Sequence, residues 1–172
     1  MNIRNLIVVL VAAFTLYGCA SMQPLSEADR TFSSVVEAPG YTKDQIYQAT
    51  KVWIAENFRS AKSVIELDSE KDGVIIGNGV IKYPCSGISC IAKNDWKVPF
   101  TMRVDMKDQK FRISFSNIRL TWPASYSSGI SSAAHDGPVS TQGDMNAIKP
   151  ILLNFGNEIL SSMTTNKSKS NW

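Results

Sequence analysis

The chain is poor in the residues that most chemistry needs. It has one histidine, His135, and three cysteines, Cys19, Cys85 and Cys90. So small a stock offers no cysteine and histidine cluster for zinc, and the Cys85–Cys90 spacing is not the C-x-x-C of a redox pair. His135 stands beside Asp136, but no nucleophile elbow accompanies them and the carboxylates are scattered, so no catalytic triad is spelled out. Gly77-Asn78-Gly79 opens no helix and is not a phosphate loop. An excess of one charge is missing too. Eighteen basic residues face fifteen acidic ones for a net +3, interspersed along the chain. That pattern shows no electrostatic footprint for nucleic acid or for an acidic surface. Long apolar runs are also lacking. The run from Leu6 to Tyr17 would form a helix of about 18 Å at ~1.5 Å per residue, short of the ~30 Å hydrocarbon core. These absences predict no cofactor, no metal, no catalytic residues and no nucleic-acid partner.

What the N-terminus does have is the layout of a secretory signal: Arg4, the apolar run, then the small residue Gly18 before Cys19. Leu16-Tyr17-Gly18-Cys19 resembles a bacterial lipoprotein box, with Tyr17 standing where that pattern favours a small or aliphatic residue. The resemblance implies cleavage before Cys19, a thioether-linked diacylglycerol on its sulfur and an amide-linked acyl chain on its new N-terminus. Each buried methylene contributes about 0.8 kcal/mol, and more than one chain gives stable attachment. Ala20 and Ser21 follow in place of an aspartate, which by the same resemblance implies sorting to the periplasmic face of the outer membrane. The expected organisation is a signal over 1–18, a lipidated tether over 19–30, one folded domain over 31–165 and a frayed tail over 166–172. Removing the first 18 residues takes Arg4 and lowers the net charge by one. A tether of about ten residues reaches roughly 15–20 Å, which keeps the domain near the bilayer.

With Cys19 lipidated, Cys85 and Cys90 remain as a pair in an oxidising compartment. They are either bridged, the favoured alternative, or two free thiols. Closing so short a loop contributes about 2 kcal/mol in the chain-entropy model.

The rest of the chain alternates strand and helix signals. Thr31 to Glu37, with Phe32, Val35 and Val36, predicts a strand ended by Pro39-Gly40. Thr42 and Gln45 have capping-box spacing, with Tyr41 and Ile46 placed as a staple. The helix they open carries a stripe of Ile46, Ala49, Trp53 and Asn57, widened by Val52, Ile54 and Phe58. Val64 to Ser69 and Val74 to Tyr83 read as strands joined by an Asp72-Gly73 hairpin turn. Gly77 and Gly79 predict a bulge there, or else a close approach by a ligand. Pro84 to Asn94 is a loop or hairpin tip. Lys97 to Met106 alternates cleanly: Val98, Phe100, Met102, Val104 and Met106 point one way, and Lys97, Thr101, Arg103 and Asp105 the other. Phe111, Ile113 and Phe115 continue the buried face after a turn at Asp108-Gln109. The apolar set then shifts by one to Ile118, Leu120 and Trp122, which predicts a bulge near Ser116-Asn117. Pro123 to Gly143 reads as a long Ser- and Gly-rich loop, either functional or disordered, and Trp122, Tyr126, Ile130 and His135 are the candidate binding residues of this region. A last helix carries Ile148, Ile151, Leu152, Phe155, Ile159 and Met163, with Pro150 constraining its start. The fold class is α+β: an antiparallel sheet of about five strands, in the order β-α-β-β-β-β-α, packed by two helices.

Val35 to Tyr47, Trp53 to Phe58, Val64-Ile65 and Asp72 to Gly79 together resemble a bacterial domain family of unknown function with a TATA-binding-protein-like (TBP-like) fold. The resemblance covers roughly 31–163. It implies an antiparallel sheet packed by helices and brings no activity or catalytic residues. Fold alone does not imply DNA binding. The expected function is that of a lipid-anchored envelope lipoprotein: a non-enzymatic binding or assembly module with a protein partner. The alternative is a periplasmic hydrolase of envelope material using His135, Asp136 and loop serines. Non-reducing mass analysis of the exported protein is expected to find Cys85 linked to Cys90; two alkylatable thiols would contradict the bridge.

Overall fold

A computed structural model describes residues 25–58, 64–127 and 130–169. Strand β1 (Phe32–Glu37) leads into helix α1 (Lys43–Asn57). Strands β2 (Val64–Ser69) and β3 (Val74–Lys82) follow, then the short helix α2 (Ser89–Lys93). After it come β4 (Lys97–Lys107), β5 (Lys110–Ser116) and β6 (Arg119–Trp122). The chain continues through β7 (Ser125–Ser127), β8 (Ile130–Ser132) and β9 (His135–Pro138) into helix α3 (Gln142–Lys169). Five strands lie side by side in the order β1-β5-β4-β3-β2, all antiparallel. β6 pairs with β4, and β9 with β6, to complete a seven-stranded sheet; β7 and β8 form a separate hairpin. The fold is α+β with a large antiparallel sheet.

Period-two alternation decides which face the helices cover. Val98, Phe100, Met102, Val104 and Met106 of β4 are buried together with Phe111, Ile113 and Phe115 of β5. Above them lie Ile46, Ala49, Trp53 and Ile54 of α1 and Ile148, Leu152, Phe155, Ile159 and Met163 of α3. Each such large side chain contributes about 1.5–3 kcal/mol on burial. Helix α1 starts on its capping box: the Thr42 hydroxyl accepts from the Gln45 N–H at 3.3 Å, and the Gln45 side chain accepts from the Thr42 N–H at 3.0 Å. Its buried face is rotated from the predicted stripe. Val52 and Asn57 are exposed, while Tyr47 and Thr50 are buried. The cause is β2: the Tyr47 hydroxyl donates to Asp68, and Lys51 pairs with the same carboxylate at 2.8 Å, which turns that side of the helix toward the strand.

Several expectations are corrected. No bulge lies at Gly77 or Gly79 against β4, since the β3–β4 register runs unbroken from Val74↔Asp105 to Lys82↔Lys97. The expected bulge lies in the other pairing of β3, where Gly77 opposes Ile65 and Ile76 opposes Leu67, leaving Glu66 of β2 as the extra residue. Gly79 instead makes room for an aromatic ring. A Cβ there would lie 2.4 Å from Phe100 Cζ, so the close approach is by a cross-strand neighbour. Gly156 plays the same part in α3, where a Cβ would come within 2.7 Å of Val36 Cγ2 on β1. The expected bulge at Ser116-Asn117 is a strand break: Asn117 has φ 50°, β5 ends before it and β6 departs to meet Lys97 of β4 through Thr121. The expected loop over 123–143 contains β7, β8 and β9. Helix α3 begins well before Pro150 and passes through it, at the cost of an N–H partner for the carbonyl of exposed Asn146. Its backbone is helical to Lys169, and the last three residues of the expected tail lie outside the described residues. The sheet therefore has more strands than the expected five, and a third helix, because the added elements are too short to show a period.

Gly79→Ala is expected to destabilise the domain by about 1–3 kcal/mol, the cost of overpacking a filled site. Gly143→Ala, whose new Cβ would meet nothing closer than Thr141 Oγ1 at 3.9 Å, is expected to lose none. Urea midpoints of the two variants measure the difference.

Candidate functional site

The helices cover one face of the sheet, and the pleat gathers charge on the other. Lys97, Arg103 and Lys107 alternate with the buried residues of β4, and Lys110 and Arg112 with those of β5. Arg119 and Asp136 lie across β6 and β9 on the same side as Lys97, through the register Lys97↔Thr121↔Asp136. Val35, opposite Arg112, is 52% exposed among them. The basic residues that look evenly dispersed in the sequence are thus collected by strand alternation into one surface. Asp105, Asp136, Glu37 and Glu66, which accepts from Asn78, are its acidic members. Arg103 forks onto Asp105, with Nε 2.9 Å from both carboxylate oxygens and Nη2 2.6 Å from Oδ1. Arg119 Nη2 pairs with Asp136 at 2.8 Å, while its buried Nε has no acceptor. Two shallow hollows mark this face. Val35, Arg103, Asp105, Lys107, Lys110 and Arg112 line one; Asn78, Val80, Lys97, Pro99, Arg119, Thr121 and Asp136 line most of the other.

A second cluster sits at the end of the sheet. Trp122 and His135 are paired across β6 and β9, so their rings stack, with centroids 4.1 Å apart at 16°. Trp96, just before β4, stacks on the other face of Trp122 at 4.3 Å and 13°. Trp122 Nε1 donates to the Ala133 carbonyl at 3.2 Å. Tyr83 meets Trp96 edge-on at 5.5 Å, and Lys93 Nζ lies over both the Tyr83 and Trp96 rings, at 4.3 and 4.7 Å. Asp144, in the first turn of α3, ties these together. It accepts from the Tyr83 hydroxyl at 2.6 Å and the Thr141 hydroxyl at 2.6 Å, and it pairs with Lys93 at 3.4 Å. Burial pushes the Asp144 carboxyl up, but Thr141, Tyr83 and Lys93 outweigh it and hold it below the usual carboxylate range. Burial, with the bond to Asp144, pushes the Tyr83 hydroxyl up. Between Tyr83 and Lys93 the chain makes a loop closed by a Cys85–Cys90 disulfide, which carries α2.

The residues expected to bind are only partly united. Trp122 and His135 stack on each other. Tyr126 stands apart on β7, 77% exposed. Ile130 lies on β8, and its side chain is outside the described residues. Cys19 also lies outside the described residues. His135 and Asp136 are neighbours on a strand and face opposite ways, one onto Trp122 and the other onto Arg119. Trp96, Tyr83, Lys93 and Asp144 were not singled out in the sequence. Nor were the arginines of the outer face, although the alternation of β4 had marked Arg103 as wet. No group of three potential metal-ligating side chains occurs among the described residues. No helix among them is long and apolar enough to cross a membrane.

Comparison with known proteins agrees with this architecture. The sequence profile of a family described as "Domain of unknown function (DUF4468) with TBP-like fold" matches residues 32–121, and the chain belongs to that family. Among solved structures, it is similar to a TBP-like protein from Parabacteroides distasonis, with a TM-score of 0.59 and 14% identity over 83% of this chain and 97% of that one. It is also similar to a DUF4468 family protein from Bacteroides ovatus, with a TM-score of 0.53 and 16% identity over 85% of this chain and 90% of that one. At these identities the likeness is one of fold. No curated protein matches the chain. The family match ends one residue before Trp122, so the stack's second and third rings lie beyond it.

Asp144→Asn is expected to cost about 1–3 kcal/mol at neutral pH, the range for charge-assisted hydrogen bonds to a part-buried group. Because the folded-state carboxyl is depressed, this contribution is full above the ordinary carboxylate value of about 3.9. It is lost as pH falls through the lower folded value. Urea unfolding across pH should show a constant gap between wild type and variant near neutrality that closes in acid.

Proposed function

We propose that the protein is a lipid-anchored module of the bacterial envelope that binds a protein partner and performs no catalysis of its own. The anchor is Cys19, and the outer membrane's periplasmic face is its site. The observation that carries the binding role is the uncovered basic face of the sheet. Arg103 and Arg112 stand on adjacent central strands at positions two residues removed from direct pairing, and so on the same face. They sit on a ladder whose other side is packed by the helices, which fixes their backbone positions, and the Arg103 side chain is further held by Asp105. Arginine forks match carboxylates bidentately, and the complement of this surface is an acidic segment of a partner protein. Such an interface is steered by charge and weakens with salt.

Two measurements test the two halves of the proposal. Cys19→Ala is expected to move the protein from the membrane to the soluble fraction and to remove the acyl mass from its N-terminus; unchanged fractionation and mass would refute the anchor. In intact cells, a photocrosslinker at Val35 is expected to yield a defined adduct. Arg103→Glu combined with Arg112→Glu should reduce it at least about tenfold, the loss expected on reversing two charges at such an interface. An adduct of undiminished yield in the double variant would refute the basic face as the docking surface.

A further inference from the structure

The two most exposed large apolar side chains among the described residues are Ile88, at 85%, and Ile91, at 81%. They belong to one small element. Ile88 is the N-cap of α2 with helical φ and ψ, so a spacing of three puts both isoleucines on the same side of a single turn. The element is held firmly from three directions. The Cys85–Cys90 bridge closes its base, Lys93 is clamped by Asp144 and Tyr83, and Trp96 packs edge-on against Tyr83. A loop braced in this way and tipped with isoleucine is built to enter something apolar.

Its surroundings indicate what that is. Lys82 and Lys97 are exposed and directly paired across β3 and β4, immediately before Tyr83 and after Trp96. Like charges at such positions are unfavourable, and neither lysine forms an ion pair within the described residues. Asp95 is the exposed acidic group beside them. Isoleucines flanked by lysines and by tryptophans that are only partly buried match the layering of a bilayer surface: acyl boundary, interfacial aromatics, headgroup phosphates.

The tether points the same way. β3 runs about 27 Å, at ~3.4 Å per residue, from the Gly73 turn at one pole to Lys82 at the other. Leu25 is fixed at the Lys82 pole. Its N–H donates to the Ser140 carbonyl at 3.3 Å, and Arg30 donates to the carbonyls of Leu25 and Val139. Ser140 lies just ahead of the α3 turn whose Asp144 holds Lys93. Six residue steps separate Cys19 from Leu25, a reach of about 20 Å at most. A domain tied so closely at one pole keeps that pole toward the surface that holds Cys19.

We infer that the disulfide-closed loop is a membrane-contact element, in which Ile88 and Ile91 enter the headgroup–acyl boundary of the bilayer and Lys82 and Lys97 meet anionic headgroups. This rests on the reading of Cys19 as a lipid anchor.

The test uses the full, lipidated chain in vesicles of phosphatidylethanolamine and phosphatidylglycerol, with and without bromine on the acyl chains. Ile91→Trp places a reporter in the loop, and Lys71→Trp places one in the exposed turn at the opposite pole. Acyl mass on Cys19 is measured on the same samples. The added emission of Ile91→Trp is expected to shift to the blue and to fall at least about twofold with bromine, as for a side chain roughly 5–10 Å into the interface, while that of Lys71→Trp is unchanged. Lipid on Cys19 with no bromine quenching at position 91 overturns the membrane contact and leaves the anchor standing. A blue shift that grows with protein density but not with bromine assigns the isoleucines to a second copy of the chain, and overturns it too. Absence of acyl mass on Cys19 overturns the anchor and the inference together.

Discussion

The fold depends on one ring placed where a side chain is missing. Phe100, at the centre of the sheet's middle strand, lies over Gly79 of the neighbouring strand and touches Phe58, Phe115 and Phe155. Trp53 joins the same group through Phe58 and Phe155. These rings come from α1 and the residue after it, from β4 and β5, and from α3, so every layer of the domain meets around them. Edge-to-face contacts of this kind contribute about 0.5–1.5 kcal/mol each beyond area burial, and they also fix mutual orientation. With that centre set, the β3–β4 register cannot slip without driving Phe100 into a Cβ. With the register set, the outer face follows: every residue one step from the core on β4 and β5 points outward, and half of those residues are basic.

Much of this was legible in the chain. The cap at Thr42, the Asp72-Gly73 turn and the alternation from Lys97 to Met106 are local signals, and local signals survive folding unchanged. The core face of β4 and β5 matched residue for residue. The bulge expected at Gly77 and Gly79 falls at Gly77, in the pairing with β2, while Gly79 has another cause. A glycine in a strand marks a close approach, but the sequence does not show that the approaching group is a phenylalanine twenty-one positions later, brought opposite by a hairpin pairing.

The surfaces were harder to see than the core. Charge dispersed along a sequence says little when the fold sorts it by parity, and Arg103 and Arg112 came to one face only through the turn between their strands. The stack of Trp96, Trp122 and His135 needs three separate segments in register, including β9, which lies in a stretch that reads as loop because Ser, Gly and Ala carry no periodic signal. By its place in the sequence, Asp144 is one more acidic residue in a first helical turn. Its value lies in Tyr83, Lys93 and Thr141 converging on it, and no spacing in the chain announces that.

The bond between Arg30 and the Val139 carbonyl joins positions 109 residues apart, and the β1 strand that follows is covered by Gly156 of the final helix. The first strand of the domain therefore has no complete environment until the last helix exists. Contacts of such long sequence separation slow folding, because the chain must close a large loop before any reward is gained. Strand β1 has no partner until β5, beginning at Lys110, is present, and its cover by Gly156 waits for α3 after that. The domain's architecture thus ties its N-terminal edge to its last helix, so that neither end of the chain is complete without the other.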